Sequence, residues 1–200
     1  MIRSSEILTK EQILTTAEET LRRFGTAKTS VTDIAKALNV SHGTIYRHFK
    51  SKVELMEAAT EKWLSEKIIA PLSLIYEEKG KHGPEHLKKY IQRLIELKRC
   101  YAYQDKELFE MYAKVTEESS ELIGKHITHI TNQMSEMIKQ SEIKASDPEG
   151  LAQAIFYATA RFHHPAHAYE WAQPSIDQEF SEVWTLLEKG FLTINEGEKE

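Results

Sequence analysis

The chain has 200 residues, of which 40% are hydrophobic and 28% are charged, as in an ordinary globular protein that buries a core. Its single cysteine, Cys100, excludes an intramolecular disulfide and a zinc site built on cysteines. The N-terminus lacks an apolar signal core, and no segment has the roughly eighteen consecutive apolar residues of a membrane span. A cytoplasmic protein without membrane contact is predicted.

Charge is distributed unevenly along the chain. The formal net charge is −5, but residues 1–52 contain nine lysines and arginines against five acidic residues. The remaining residues contain 17 basic and 26 acidic side chains. A basic N-terminal segment on an acidic body is typical of a protein in which one small domain contacts a polyanion such as DNA.

Apolar residues recur three or four positions apart and no run alternates strictly, which predicts an all-α fold. Three pairs have the spacing of a helix-opening capping box: Thr9 with Gln12, Ser30 with Asp33, and Ser51 with Glu54. Ser41 can cap a further helix that runs to about Phe49. Gly25 and Asn39 suit helix ends because they tolerate the left-handed conformation. Pro71 is expected to kink or end the fourth helix.

Longer helices follow, and they predict a C-terminal helical bundle. Asp147-Pro148 combines a capping residue with a first-turn proline, and it opens a helix that runs through Phe162. A last helix covers about 176–193. The predicted domains are a three-helix domain at 7–52, continuing into a connecting helix to about 70, and a bundle at 71–195.

Residues 30–52 have the pattern of a helix-turn-helix, two short helices joined by a tight turn. One set of side chains is apolar or small and fits the wedge between the helices: Ile34, Ala35, Leu38, Val40, Ile45 and Phe49. A second set can contact DNA: His42, Thr44 and Arg47 at base edges, Gly43 by letting the backbone approach, and Tyr46, His48 and Lys52 at phosphates. Spacing alone leaves open a compact three-helix module with a polar outer face.

The N-terminal segment resembles the DNA-binding domain of the tetracycline-repressor (TetR) family. The residues that carry the resemblance are Ile13-Leu14, Phe24-Gly25, Thr32-x-Ile34-Ala35-x-x-Leu38, Val40-Ser41-x-Gly43-Thr44-Ile45-Tyr46-x-His48-Phe49 and Lys50-Ser51-Lys52-x-x-Leu55. The family usually has glycine where Asn39 stands, and Asn also adopts the left-handed conformation.

The resemblance implies roles for individual residues. Those expected to face bases are His42, Gly43, Thr44 and Arg47. Those expected to hold the DNA backbone are Tyr46, His48, Lys52 and, at the start of the second helix, Thr32. Ser41, at the start of the recognition helix, completes the predicted DNA-binding site.

The resemblance also implies a ligand-responsive repressor that binds a palindromic operator in double-stranded DNA as a homodimer and is released by a small-molecule effector. The dimer is expected to form through the last two long helices. The faces expected at this interface are Ile155, Phe156 and Thr159 on one helix and Phe180, Trp184, Leu187 and Phe191 on the other. Packing of these faces inside one subunit is the alternative. A helical dimeric interaction protein that no longer binds an operator is the alternative for the function.

An effector pocket is predicted among aromatic, methionine and histidine side chains of the C-terminal bundle: Phe109, Tyr112, Met134, Phe156, His163, His167 and Trp171. Ordinary core packing of these residues is the alternative. A metal site at His163, His164 and His167 is not predicted, because Pro165 interrupts the helix and no Asp or Cys has ligand spacing. No cofactor and no catalytic residues are predicted.

Overall fold

The computed structural model describes residues 8–78 and 83–193, and within them every regular element is helical. In chain order the α-helices are α1 (Lys10–Phe24), α2 (Val31–Ala37), α3 (His42–Tyr46), α4 (Lys52–Leu64), α5 (Ala70–Tyr76), α6 (Pro84–Gln104), α7 (Lys106–Glu118), α8 (Ser120–Lys139), α9 (Pro148–Ala158) and α10 (Ile176–Thr193). A π-helical turn (Ser65–Ile69) joins α4 to α5, and two 3₁₀ turns (Ala160–Phe162 and Pro165–Glu170) lie between α9 and α10. The all-α prediction is confirmed.

The predicted capping residues open the N-terminal helices. Thr9 with Gln12 and Ser30 with Asp33 both form the complete capping box, with each side chain bonded to the other residue's backbone N–H. The third box differs by one residue: the Ser51 hydroxyl accepts from the Glu54 N–H at 3.0 Å, while the Glu54 carboxylate accepts from the Lys50 N–H at 2.6 Å.

Two helix ends require a left-handed backbone. Gly25 ends α1 with φ 77°, and Asn39 follows α2 with φ 55°. The side chain that a Cβ at Gly25 would meet, Glu107, belongs to α7 and lies only 2.9 Å away. Glycine at 25 therefore serves both the turn and the close approach of the C-terminal domain.

Helix α3, the second helix of the predicted helix-turn-helix, is shorter than predicted. It ends at Tyr46, and the N–H groups of His48 and Phe49 both bond to the Ile45 carbonyl. The prediction that it extends to Phe49 is wrong by three residues. Only two residues separate Phe49 from the start of α4, which is capped by Ser51.

We expected Pro71 to kink or end the fourth helix. The regular α-helix is interrupted six residues before the proline, at Ser65. Pro71 lacks an N–H, and its ring would collide with the Lys67 carbonyl in a regular α-helix. In the π-helical turn the Ala70 N–H instead bonds to the Ser65 carbonyl, one residue further back. The wider turn admits Pro71 at the beginning of α5 while the chain remains helical.

Helix α9 also ends earlier than predicted, at Ala158 rather than Phe162. The Thr159 hydroxyl donates to the carbonyls of Ile155 and Phe156 at 2.9 and 3.1 Å, so it competes for the acceptors of the last turn. The chain continues as a 3₁₀ turn, which carries Phe162 into the core.

The faces predicted for the dimer interface are buried inside a single chain, so that assignment is wrong. Ile155, Phe156, Thr159, Phe180, Trp184 and Phe191 are each at most 7% exposed, and Leu187 packs against the same core. Phe180 contacts both Phe162 and Trp184 through its ring. The stripes are apolar because they form the C-terminal core, which leaves the opposite faces of α9 and α10 at the surface.

Candidate DNA-binding surface and C-terminal cavity

The helix-turn-helix wedge is formed as the sequence predicts. Ile34, Ala35, Ile45 and Phe49 are buried, and Leu38 and Val40 pack against them half-buried. The Val40 N–H donates to the Ala35 carbonyl across the turn at 3.0 Å. Because α2 and α3 share this core, the outer side of α3 is held in a fixed orientation to the rest of the N-terminal domain.

The nine residues predicted to contact DNA lie at the surface. Thr32, Ser41, His42, Gly43, Tyr46, Arg47 and Lys52 are exposed, and Thr44 and His48 are half-buried. None of them contributes to the wedge, so their side chains are available to a partner.

Polar groups on the outer side of α3 position one another. The Thr44 hydroxyl bonds to the Ser41 hydroxyl at 2.8 Å and accepts from the Arg47 guanidinium at 3.3 Å. The rings of His42 and Tyr46 meet edge to face with centroids 4.6 Å apart. Arg47 is thus steered by Thr44, one turn before it on the helix.

Gly43 has no structural need to be glycine within this chain. Its φ lies outside the left-handed range, and the nearest atom to a Cβ added at this position would be the Ser41 hydroxyl oxygen at 3.9 Å. The lack of a side chain at this exposed position leaves the α3 backbone open to a partner that approaches closely.

Lys52 lies at the first turn of α4, where its ammonium donates to the Thr29 carbonyl at 2.6 Å. This bond ties α4 to the turn before α2, next to the Ser30 cap. The charge remains exposed, so Lys52 both braces the domain and adds positive potential to its surface.

A cavity of about 140 Å³ lies in the C-terminal domain between α6, α7, α8 and the end of α9. We call it the C-terminal cavity. The side chains around it are Leu94, Lys98, Tyr112, Thr116, Ile123, His126, Ile127, Ile130, Phe156, Tyr157, Ala160, His163 and His164.

Three of the seven predicted pocket residues line this cavity: Tyr112, Phe156 and His163. The other four lie elsewhere. Phe109 packs between Trp63 and Trp171 in the core, and Met134 is fully buried. The indole N–H of Trp171 donates to the Arg161 carbonyl at 2.9 Å, and His167 pairs with Glu170 at 2.8 Å.

The sequence did not lead us to assign two basic residues of the cavity wall, Lys98 and His126, to a pocket. A signal was available for the first: Lys98 follows Leu94 by four residues, inside the apolar stripe of α6. A lysine in such a stripe must either reach solvent or be buried. In the structure it is only 2% exposed.

Two basic groups of the cavity wall, Lys98 and His163, are almost completely removed from water. Burial lowers the pKa of Lys98 well below its usual 10.5 and lowers the pKa of His163 to about 3. Burial also lowers the pKa of His126, with the Lys98 charge as a further cause. The Lys98 ammonium nitrogen lies 3.8 Å from the centroid of the Tyr112 ring.

The clustered histidines after α9 have separate partners. His163 contacts the Phe156 carbonyl at 3.2 Å, and His164 Nδ1 accepts from the Ala166 N–H at 3.3 Å. His167 pairs with Glu170. Across residues 8–78 and 83–193, no group of three or more His, Cys, Asp or Glu side chains is arranged to hold a metal ion.

Ion pairs join α1 to two neighbouring parts of the structure. Arg22 on α1 forms a bidentate pair with Asp105, at the junction of α6 and α7, with distances of 2.9–3.2 Å. Glu18, also on α1 and buried, pairs with Lys62 on α4 at 2.9 Å. The same α1 surface therefore contacts both the connecting helix and the corner where two cavity helices meet.

Comparison with known families decides the identity of the fold. Residues 13–59 match the family described as "Bacterial regulatory proteins, tetR family", and residues 83–184 match the "Tetracyclin repressor-like, C-terminal domain". The chain belongs to the TetR family. Within the described part of this TetR chain, no helix is long and apolar enough to cross a membrane.

Individual TetR relatives are similar over different extents. The regulator AcrR of Shigella flexneri is 40% identical over 76 residues, which cover 38% of this chain and 34% of AcrR. The curated relatives are matched over only a quarter to a third of their own length.

Two solved structures share the fold over nearly the whole chain. The structure of BioQ with its DNA operator has a TM-score of 0.57 at 18% identity and covers 91% of this chain and 99% of its own. The structure of FadR from Bacillus subtilis with stearoyl-CoA has a TM-score of 0.57 at 22% identity, with the same coverage.

Two substitutions distinguish the predicted base-contacting role of Arg47 from the predicted phosphate-contacting role of Lys52. We expect Arg47→Ala to relax sequence preference and to cost about 1–3 kcal/mol on the preferred duplex only, because a base contact is lost. Lys52→Ala should weaken binding to all duplexes by a similar factor and reduce the salt dependence by about one charge per chain. Fluorescence anisotropy on a selected and a random duplex, at several salt concentrations, measures both effects.

Lys106→Ala, at an exposed lysine of α7, is the control for loss of a positive charge outside the helix-turn-helix. The assignment of Arg47 is contradicted if its variant selects the wild-type motif from random duplexes. The assignment of Lys52 is contradicted if specific and random duplexes are affected by different factors.

Proposed function

We propose that this protein is a ligand-responsive transcriptional repressor that acts in the cytoplasm, binds a palindromic operator as a homodimer and is released by a small-molecule effector. The observation that carries the proposal is the outer surface of α3. Its exposed Arg47, steered by Thr44, adjoins a glycine that the chain itself does not require. The alternative, a helical dimer without operator binding, offers no reason for an open backbone at Gly43.

Relatives support both halves of the proposal. A probable operon repressor of Escherichia coli is 34% identical over 64 residues, BioQ has been crystallised on its operator, and FadR has been crystallised with an acyl-CoA. No catalytic role is part of the proposal.

Selection of the full-length protein on random duplexes tests the DNA-binding half. We expect enrichment of an inverted repeat whose half-sites lie about 34–36 Å apart or a multiple of one turn, because two copies of α3 must enter successive major grooves. Two chains should bind per duplex in analytical ultracentrifugation. Recovery of unenriched sequence would contradict operator binding and leave the interaction protein as the better hypothesis.

We propose that the dimer forms through the outer faces of α9 and α10. These faces expose small and apolar side chains, among them Ala154, Tyr157 and Ala158 on α9 and Leu186 on α10, which is 73% exposed. Small residues allow helices to approach closely, and a two-fold interface places the same patch on both subunits.

Leu186→Glu should therefore raise the dimer dissociation constant about tenfold or more, equivalent to about 1.4 kcal/mol, because the like charges would meet near the two-fold axis. Sedimentation velocity over a concentration series measures it. Tyr103→Glu is the matched control, since Tyr103 is an exposed apolar residue on α6. An unchanged dimer in the Leu186 variant together with a weakened one in the control would place the interface elsewhere.

The pair between Arg22 and Asp105 is proposed to transmit the effector signal. Lys98 of the cavity wall lies seven residues before Asp105 on α6, about two helical turns. Tyr112 lies on α7 seven residues after it. A ligand that moves α6 against α7 changes the position of Asp105, and with it the orientation of α1 and the N-terminal domain.

Asp105→Asn weakens the pair with Arg22. In a dimer, it should therefore make the distance between the N-terminal domains of the two subunits less fixed. We expect the variant to lose about fivefold or more of its preference for the selected operator over one with a base pair inserted between the half-sites. Competition binding with the two duplexes measures the ratio. Glu121→Gln, which breaks an exposed pair with Lys125, is the control. Equal spacing preference in wild type and Asp105→Asn would exclude this transmission route.

A further inference from the structure

The C-terminal cavity contains a basic group, Lys98, that no described side chain neutralises. Lys98 is 2% exposed, and within residues 8–78 and 83–193 its side-chain nitrogen has no hydrogen-bond partner. His126 Nε2 is likewise buried without a partner. The lysine rests on the face of Tyr112, whose ring partly stabilises a cation but accepts no conventional hydrogen bond from it.

Lys62, which is partly buried, differs from Lys98 because it pairs with the buried Glu18. The exposed Arg22 also has an acidic partner, Asp105. Around the C-terminal cavity, by contrast, no aspartate or glutamate stands among the lining side chains in the part of the chain that is described. A buried amine without a partner destabilises the folded protein, since desolvation is not compensated. A ligand that supplies the missing negative charge would remove that penalty.

We propose that the C-terminal cavity binds a compact organic monocarboxylate, whose carboxylate lies against Lys98 and His126 and whose apolar part lies among the aliphatic and aromatic side chains of α6, α8 and α9. The apolar part has suitable surroundings in Leu94, Ile127 and Phe156. The claim that this acid is the effector of a repressor rests on the proposed function. The claim that the acid binds in the cavity rests only on the structure of the cavity.

The volume of the cavity limits the size of the acid. A cavity of about 150 Å³ with apolar walls holds one benzene molecule in a well-studied engineered protein. At about 140 Å³, this cavity suits an acid of about the size of benzoate or a short branched aliphatic acid. A long acyl chain such as that in the FadR complex exceeds it.

Protonation gives the proposal a pH signature. Burial lowers the pKa of Lys98 in the free protein, whereas a bound carboxylate would raise it again, so binding takes up as much as one proton from solvent. Affinity should therefore fall as the pH rises above the pKa of Lys98 in the free protein. The other titratable groups facing the cavity are Tyr112 from α7, His126 from α8, and His163 and His164 after α9. Burial lowers the pKa of each of these histidines and raises that of Tyr112.

Calorimetric titration of the full-length protein tests the ligand class. The probes are benzoate, phenylacetate, cyclohexanecarboxylate and 3-methylbutanoate, each compared with its uncharged primary amide. We expect at least one acid to bind at least tenfold more tightly than its amide. Titrations in two buffers of different ionisation enthalpy should show proton uptake. If no acid binds, or if the amides bind as tightly as the acids, the proposal is overturned.

Lys98→Met provides the matched variant, because methionine keeps much of the side-chain volume and carries no charge. It should abolish the preference for acid over amide while raising the melting temperature of the free protein, since a desolvated amine has been removed. Lys89→Met removes an exposed lysine of the same helix, together with its surface pair to Glu78, and should leave the preference for acid over amide unchanged. Retained acid preference in Lys98→Met would overturn the assignment.

Operator binding is measured separately, by anisotropy on the selected duplex with and without saturating acid. Release of the operator by the acid supports both the carboxylate site and its effector role. Acid binding with unchanged operator affinity supports the site but contradicts the effector role. A protein that binds acids but selects no operator contradicts the proposed function and still supports the carboxylate site.

Discussion

Helix α1 is the element on which both domains depend. Its buried face, formed by Ile13, Ala17 and Leu21, belongs to the core that supports α2 and α3. Its neighbouring face carries Glu18 and Arg22, which pair with α4 and with the α6–α7 corner. Because the two faces belong to one rigid helix, the N-terminal domain cannot change its orientation without changing these ion pairs. The Gly25 turn brings α7 close to the same end of α1.

In the proposed function, this arrangement connects the C-terminal cavity through α1 to the predicted DNA-binding surface. Helices α6 and α7 each supply part of the cavity wall and then meet at Asp105. A ligand shifts a conformational equilibrium only by its difference in affinity for the two states. The buried amine of Lys98 is a group whose environment depends strongly on whether a negative charge is present. In this proposal, Lys98 therefore contributes more than the surrounding apolar contacts to the difference in ligand affinity between the two states.

The parts of the fold that could be predicted from sequence are those determined by neighbours in the chain. The capping boxes at Thr9 and Ser30, the left-handed residues Gly25 and Asn39, and the wedge around Ile45 each involve contacts within a few residues or within one short motif. Local hydrogen bonding and apolar spacing specify them. The ends of α3 and α9 were harder to predict, because they depend on where the chain must turn and on the competing hydroxyl of Thr159.

The cavity and the dimer surface depend on how whole helices pack, which periodicity does not determine. An apolar stripe such as Phe180 with Trp184 indicates burial, but it does not distinguish the core of one subunit from an interface with a second. For the same reason, the sequence could not distinguish Tyr112 from Phe109. Tyr112 lines the cavity, whereas Phe109, three residues earlier on α7, does not. Lys98 was detectable as an exception inside an apolar stripe. A charged residue within an apolar stripe is therefore more informative about a binding site than the apolar residues around it.

The position of Lys98 also bears on why the cavity exists. A stable core would be reached most simply with an aliphatic residue at 98, and the neighbouring side chains on α6 are of that type. A basic group there lowers the stability of the free protein, and the cavity wall provides no acid to offset it. Such a cost is retained where a site must discriminate, because an uncharged molecule of similar shape leaves the amine as unsatisfied as before. If the cavity binds a carboxylate as proposed, the destabilising effect of the buried amine and the preference for an anion have the same physical origin.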